Sequence, residues 1–382
     1  MANNKAFKVK NGISAQRYLL SNGTETEGSV GYSIAGTSYD SKYFSVAAQE
    51  TIPLGLAFNS DGTAFYVVGY SADAVFRYDL STAYDISTAS YSNTISVAAQ
   101  ATDCSGIMFN PAGTKMYITN NGTPSAVFQY SLSTAFDLTT ATYDSVSFDF
   151  STQDGSVFNP TFNSDGTKLY VAGNTGDSIY QYSLSTAYDI STMSYDSVSL
   201  SVASVDTIPV GVLFNSTGSV MYLLGGANNS MFEYSLTTPY DISTATYTST
   251  SFSFTTVDTQ VRGFIFKPDG LKLYAVGITN DTIYQYSTAL YTQTLDLSTG
   301  TTFAFTPSGA TTVSFTNPPA SGLACAFTVE INGDGSAITW PASVKWHEAT
   351  APTALASKEV YVFITTDGGT TYYGKKAAEG VA

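Results

Sequence analysis

The chain repeats one pattern of residues at an interval of 52. Tyr78, Tyr130, Tyr182, Tyr234 and Tyr286 are spaced by 52, and Tyr39, Tyr91, Tyr143, Tyr195 and Tyr247 keep the same interval one phase later. Gly62, Gly113, Gly166, Gly218 and Gly270 mark one turn five times, with slips of a single residue. A unit of this size cannot bury its apolar face alone, so the repeats must pack on one another. Several short apolar runs per unit select a β-propeller.

Each unit divides into four strand-like pieces. Residues 54–58 are an apolar run, and Asn59-Ser60-Asp61-Gly62 is a turn ending on a residue that tolerates positive φ. Residues 65–69 form the return strand, which makes this pair a hairpin. In residues 75–78 the period of two places Phe76 and Tyr78 on one face. The pattern recurs at Phe128/Tyr130, Tyr180/Tyr182, Phe232/Tyr234 and Tyr284/Tyr286. Between the two aromatics stand Arg77, Gln129, Gln181, Glu233 and Gln285, whose polarity points that position toward solvent. Residues 90–97 alternate and are rich in Ser and Tyr, and nothing in the unit has a helical period. The expectation is all-β: five four-stranded blades over residues 39–290, with an extended arm at 1–38 and a separate module at 291–382.

The repeat starts out of phase. Residues 39–47 read as a fourth strand before any first strand has appeared, whereas 262–287 supply only three strands. Closure of the fifth blade by 39–47 is therefore expected. Residues 289–295 compete for that place, arriving eight residues early.

The repeats resemble YVTN-type and WD-like propeller repeats, and more closely the STAYDIST-bearing repeats of phage and bacterial surface proteins. After residue 290 the period is lost. The alternations Phe303/Phe305, Val313/Phe315 and Val360/Val362/Ile364 are strand-like, with turns at Pro318-Pro319, Gly333-Asp334-Gly335 and Asp367-Gly368-Gly369. This predicts a compact β-sandwich or β-roll. Its strings ITWPASVKW and TTDGGTTYYG resemble a C-terminal module of phage tail fibres. In residues 1–38, Phe7 and Val9 alternate with Lys8 and Lys10 before an Asn11-Gly12 turn. So short a strand cannot fold alone and is expected to order against another chain. This opening resembles the N-termini of phage tail-fibre and related virion proteins.

These resemblances imply a structural protein of a bacteriophage virion, most simply a tail fibre that attaches to the host surface. The arm of Phe7, Lys8, Val9 and Lys10 would dock on other virion proteins, and the C-terminal module would present the distal end or hold a homotrimer. The receptor would be a surface molecule, with a glycan as the candidate. The protein would sit on the particle, outside the cell after lysis. A capsid-decorating or head-fibre protein is the alternative of the same class. A propeller hydrolase or lactonase is the alternative of another.

Composition narrows the choice. Only 12% of residues are charged and 43% are hydrophobic, so Ser, Thr, Asn, Gly and Tyr carry the polar surface. The net charge of −15 divides as +2 over residues 1–38, −14 over 39–290 and −3 over 291–382. An acidic body disfavours nucleic acid as a partner. No apolar run is long enough to span a membrane, and the basic N-terminus is not followed by a signal-peptide core. Cys104 and Cys325 fall in different regions, which predicts no disulfide framework.

Residues for chemistry are sparse. His347 is the single histidine, so the propeller holds no Ser-His-Asp triad, and one chain cannot build a multi-histidine metal site. Trp340, Trp346 and His347 read either as a sugar-stacking patch or as aromatics wedged between strands. Asp103-Cys104-Ser105, Gln153-Asp154-Gly155 and Val261-Arg262-Gly263 each precede a first strand at one mouth of the channel. Arg262 is the basic residue among them and reads as a ligand contact or as blade packing. Asp61, Asp165 and Asp269 lack the alternating carboxylates of calcium loops, and Asp85, Asp137, Asp189 and Asp241 suit bonds to their own turns. No catalytic residue, cofactor or metal is expected.

Overall fold

A computed structural model of the chain describes residues 17–19, 25–27, 32–307, 311–333, 338–347, 350–355 and 357–381. Apart from four single-turn 3-10 helices, its regular elements are all strands. The first blade is a meander of Pro53–Phe58, Ala64–Gly69, Ala74–Leu80 and Ala89–Ser96. The next three begin at Cys104–Phe109, Val157–Phe162 and Pro209–Phe214, and the fifth begins at Val261–Phe266. These five first strands touch one another in a closed ring. The architecture is a five-bladed propeller with first strands at the axis and fourth strands at the rim.

The start of the chain closes the ring. Tyr32–Ser45 pairs antiparallel with Thr282–Asp296, Ser45 opposite Thr282, Phe44 opposite Ile283 and Tyr39 opposite Tyr286. This is the closure that the phase of the repeat predicts. Residues 289–295 do not fold back to compete, because the same strand runs straight on into the C-terminal module. A boundary at 290/291 therefore falls inside a strand.

The N-terminal boundary moves as well. Residues 32–38, expected in the arm, belong to the fifth blade. Ile34 is fully buried and stands five residues before Tyr39, as Ile86, Leu138, Ile190 and Ile242 stand before their own tyrosines. Those four residues lie in the 3-10 turns that close each STAYDIST loop, helical turns that the absence of helical period did not foresee. The turns are held as expected by their aspartates: Asp85 accepts from the Ser87 amide at 3.2 Å and from its hydroxyl at 2.6 Å. Phe7, Lys8, Val9 and Lys10 lie outside the described residues. Nearby, Arg17–Leu19 pairs antiparallel with Glu25–Glu27.

In four of the five blades the polar residue between the third-strand aromatics does not face solvent, and Arg77 in the first is half-buried. Gln129, Gln181, Glu233 and Gln285 are buried, and each reaches across to another blade. Gln129 accepts from the Ile190 amide at 3.2 Å, Gln181 from Ile242 at 3.3 Å, Gln285 from Ile86 at 3.4 Å and Glu233 from Ile34 at 3.5 Å. A polar side chain survives there because the neighbouring blade supplies an otherwise orphaned amide.

Five hydrophobic clusters fill the five blade–blade seams, and a sixth fills the C-terminal module. One ring pair recurs at every seam: Phe58 on Tyr274, Phe109 on Tyr66, Phe162 on Tyr117, Phe214 on Tyr170 and Phe266 on Tyr222, with centroids 4.5 to 5.0 Å apart. Tyrosine hydroxyls of these pairs also donate to carbonyls of the adjoining blade, as Tyr66 does to Phe136 at 2.6 Å and Tyr274 to Tyr84 at 2.6 Å. Truncating one such aromatic to alanine removes about 3–5 kcal/mol.

In the C-terminal module the first six strands alternate between two layers, and the last two stay in the layer of the sixth. Residues 291–296, Thr311–Thr316 and Ile338–Thr339 pair in parallel in one layer. The other is a five-stranded sheet ordered Thr302–Phe305, Cys325–Asn332, Lys358–Thr365, Tyr372–Val381 and Val344–Trp346. Phe327, Val329, Ile331, Tyr361 and Phe363 point between the layers and are buried. Both cysteines are free and buried, Cys104 in the propeller and Cys325 here.

Candidate functional site

The propeller axis is plugged. Gly55, Gly106, Gly211 and Gly263 stand in corresponding places on four first strands, and a Cβ on Gly55 would lie 2.9 Å from the Gly106 Cα. A Cβ on Gly263 would lie 2.4 Å from the Leu54 carbonyl oxygen, so four of the five strands approach the axis without a side chain. The third blade departs from this with Asn159-Pro160. Asn159 takes a positive φ of 32° and sends its amide across the axis to the carbonyls of Val210 at 2.8 Å and Arg262 at 2.7 Å. Below this plug, where the first hairpin turns lie, is an apolar mouth of about 320 Å³ bordered by Phe58, Phe109, Pro160 and Phe162.

The upper face, where the chain enters each first strand, carries buried acids. Glu50, Asp154, Asp206 and Asp258 occupy the same place in four blades and are at most 3% exposed. Each is consumed in holding loops. Asp206 accepts from the amides of Ile208 at 2.8 Å, Ala227 at 3.1 Å and Asn228 at 2.9 Å. Asp154 accepts from Ser156, Thr175 and Gly176, and Glu50 from Ile52, Ser71 and Ala72. The last residue of each second strand is then a glycine, since a Cβ on Gly225 would lie 2.3 Å from an Asp206 oxygen. The second blade inverts the device. Ala101 replaces the acid and Asn120 replaces the glycine, and the Asn120 carbonyl accepts from the Thr102 amide at 3.1 Å and the Asp103 amide at 2.9 Å.

Arg262 lies on this face, its Nη1 donating to the Val261 carbonyl at 3.2 Å. Burial pulls its pKa below the ordinary value, against attraction from Asp206 and Asp258. Neither acid is within ion-pair distance, so Arg262 makes no ion pair among the described residues.

The aromatic trio divides. Trp340 is 8% exposed and packs against Tyr361 and Phe363 with centroids 4.9 and 5.0 Å away, so the core holds it and it cannot form a surface stacking platform. Trp346 is half-buried, its ring 5.5 Å from Trp340 in an edge-on contact. His347 is exposed and its amide donates to the Gly374 carbonyl at 3.1 Å. Trp346, His347 and Lys375 all border two open clefts of about 400 and 560 Å³.

No family model and no curated protein matches the sequence. Solved structures with a similar course of chain include a periplasmic gluconolactonase of Pseudomonas aeruginosa, 13% identical, covering 62% of this chain and 66% of that one at a TM-score of 0.40. Another is a candidate 6-phosphogluconolactonase of Bacteroides uniformis, 15% identical over 58% of this chain and 63% of that one, TM-score 0.38. A third is a protein of unknown function from Desulfotomaculum acetoxidans, 10% identical over 59% and 62%, TM-score 0.38. The chain spans under two thirds of the length of each. These likenesses bring no activity to it.

Sequence reasoning singled out Asp154 but missed Glu50, Asp206 and Asp258, although the last two follow Asp154 at the repeat interval. It also missed Asn159, whose signal is the break from glycine at one repeat position. Among the described residues, no group of three or more His, Cys, Asp and Glu is placed to hold a metal ion. Nor is any helix among them long and apolar enough to cross a membrane.

Proposed function

We propose that this chain is a non-catalytic attachment protein of a virus particle, a tail fibre or related appendage, with the propeller as a rigid body and the C-terminal module carrying the adhesive surface. The observation that carries the reading is the fate of the propeller's buried carboxylates. Glu50, Asp154, Asp206 and Asp258 on the upper face each accept two or more hydrogen bonds from loop amides, so a substrate would have to displace the loop to reach them. Phage assignment draws on the STAYDIST repeats and the ITWPASVKW and TTDGGTTYYG strings. The exposed rims of Ser, Thr and Tyr suit hydrogen bonding to a polar surface without needing charge. The test is twofold. Antibody against the chain should label intact particles under the electron microscope, and the purified protein should leave aldonolactones at their spontaneous rate of hydrolysis. Turnover abolished by Asp258→Asn or Arg262→Ala would replace this reading with an enzyme of the upper face.

A further inference from the structure

Eleven lysine and arginine side chains are described over residues 32–381, and eight of them sit in ion pairs. Lys42, Lys115, Lys168, Lys267, Lys272 and Arg77 are neutralised in the propeller, and Lys358 and Lys376 in the module. The exceptions are Arg262, Lys345 and Lys375. The last two are exposed and share one outer sheet face. Lys345 stands directly opposite Tyr373 in the ladder, and Lys375 follows Tyr373 by two residues on the same side. Side chains so related lie about 5 to 8 Å apart. Tyr373 is 61% exposed between them, with Val362 and Ile364 beside it at 38% and 42%. His347 and the edge of Trp346 close the same open cleft of about 560 Å³.

On a chain of net charge −15, two ammonium groups without an ion-pair partner among the described residues, flanking an exposed tyrosine, form a locally basic site on an acidic chain. A flat, apolar-centred patch with cations at its rim matches a sugar ring that bears an acidic group. The C–H face of a pyranose packs on the negative face of an aromatic ring, while the acid bridges the lysines. We infer that this face of the C-terminal module binds an acidic polysaccharide, with Tyr373 as the stacking platform and Lys345 and Lys375 holding its anionic groups. The inference rests on the adhesive reading above and names the class of its receptor.

The test is equilibrium binding of the full-length protein to oligogalacturonate, to poly(glycerol phosphate) and to a neutral cello-oligosaccharide of equal length. An acidic ligand should bind roughly tenfold or more tighter than the neutral one and weaken with salt. The first two probes separate sugar carboxylate from backbone phosphate as the anion. The pair Lys345→Gln and Lys375→Gln should lose about tenfold in affinity with an unchanged thermal transition. Tyr373→Ala should lose affinity while keeping the salt dependence. Equal binding of neutral and acidic sugars, unmoved by the lysine pair, would overturn the inference and leave the adhesive reading standing. Single-stranded DNA binding as tightly as the uronate, unmoved by Tyr373→Ala, would reduce the face to bare charge attraction and overturn it too. Failure to bind any glycan, together with absence from particles, would remove both.

Discussion

One carboxylate does the work of several backbone partners at the upper face. Asp206 is 2% exposed and its two oxygens take three main-chain amides as well as the Asn228 side chain at 3.0 Å. A buried amide without an acceptor costs about 1–3 kcal/mol. Asp206→Ala should therefore destabilise the protein by roughly 3 kcal/mol, and Asp206→Asn, which keeps one acceptor, by less. Denaturant unfolding would measure both, and a loss for the alanine variant below about 0.5 kcal/mol would show that solvent satisfies these amides. Asn120 in the second blade is the natural control, because it does the same job from the other side of the loop without a charge.

At the scale of elements, the strand Tyr32–Ser45 decides whether the ring is closed. It pairs along the third strand of the fifth blade, and its Phe44 reaches the first blade, 5.4 Å from Tyr78 and 6.1 Å from Phe65. Val46, fully buried, donates its amide to the Asp281 carbonyl at 2.8 Å, just as Val97 donates to Asp73 at 2.9 Å. Deleting residues 2–27 should leave the thermal transition where it was. Deleting 2–45 should lower it sharply and cause aggregation, since it bares the strand edge at 282–287. Calorimetry and light scattering on the two truncations would distinguish these outcomes. An unchanged transition in the longer deletion would mean that the seam between the first and fifth blades holds without its latch. The shorter deletion also tests the expected anchoring role of Phe7, Lys8, Val9 and Lys10, through its copy number in particles.

Over the whole molecule, stability is distributed among five seams of similar construction, and tyrosines recur in all of them. Burial raises the pKa of Tyr66 to about 12 and pushes those of Tyr117, Tyr170 and Tyr274 up as well. The sign follows from proton linkage. A raised folded-state pKa leaves stability untouched below about pH 10, where tyrosine is neutral in both states. Above it the unfolded chain ionises first and stability falls. Each such tyrosine contributes a slope of about 1.4 kcal/mol per pH unit, so several together should produce a steep alkaline unfolding beginning near pH 10. Tyrosinate absorbance and circular dichroism should change together. Seam tyrosines that ionise near pH 10 with the β-spectrum intact would show that the seams admit water.

What the sequence determined alone was everything carried by short-range periodicity. The blade count, the four strands per blade, the turn aspartates and the latch at Tyr39 all follow from spacing, because hairpins join neighbours in the chain. Contacts between units were not legible in this way. Gln129, Gln181 and Gln285 look solvent-facing within their own strand, and only the arrival of another blade's amide makes their burial favourable. Ile34 was hidden for the same reason, since its role as the fifth copy of Ile86 appears only once Glu233 and the fourth blade are beside it. In the C-terminal module, Trp340 and Tyr373 are both aromatics on strands or at their ends. The two-layer packing sends the first inward and leaves the second out. Pairing of charges is likewise a tertiary fact. Lys272 finds Asp40 across 232 residues, whereas Lys345 and Lys375 find no acid among the described residues, and no local pattern separates the two cases.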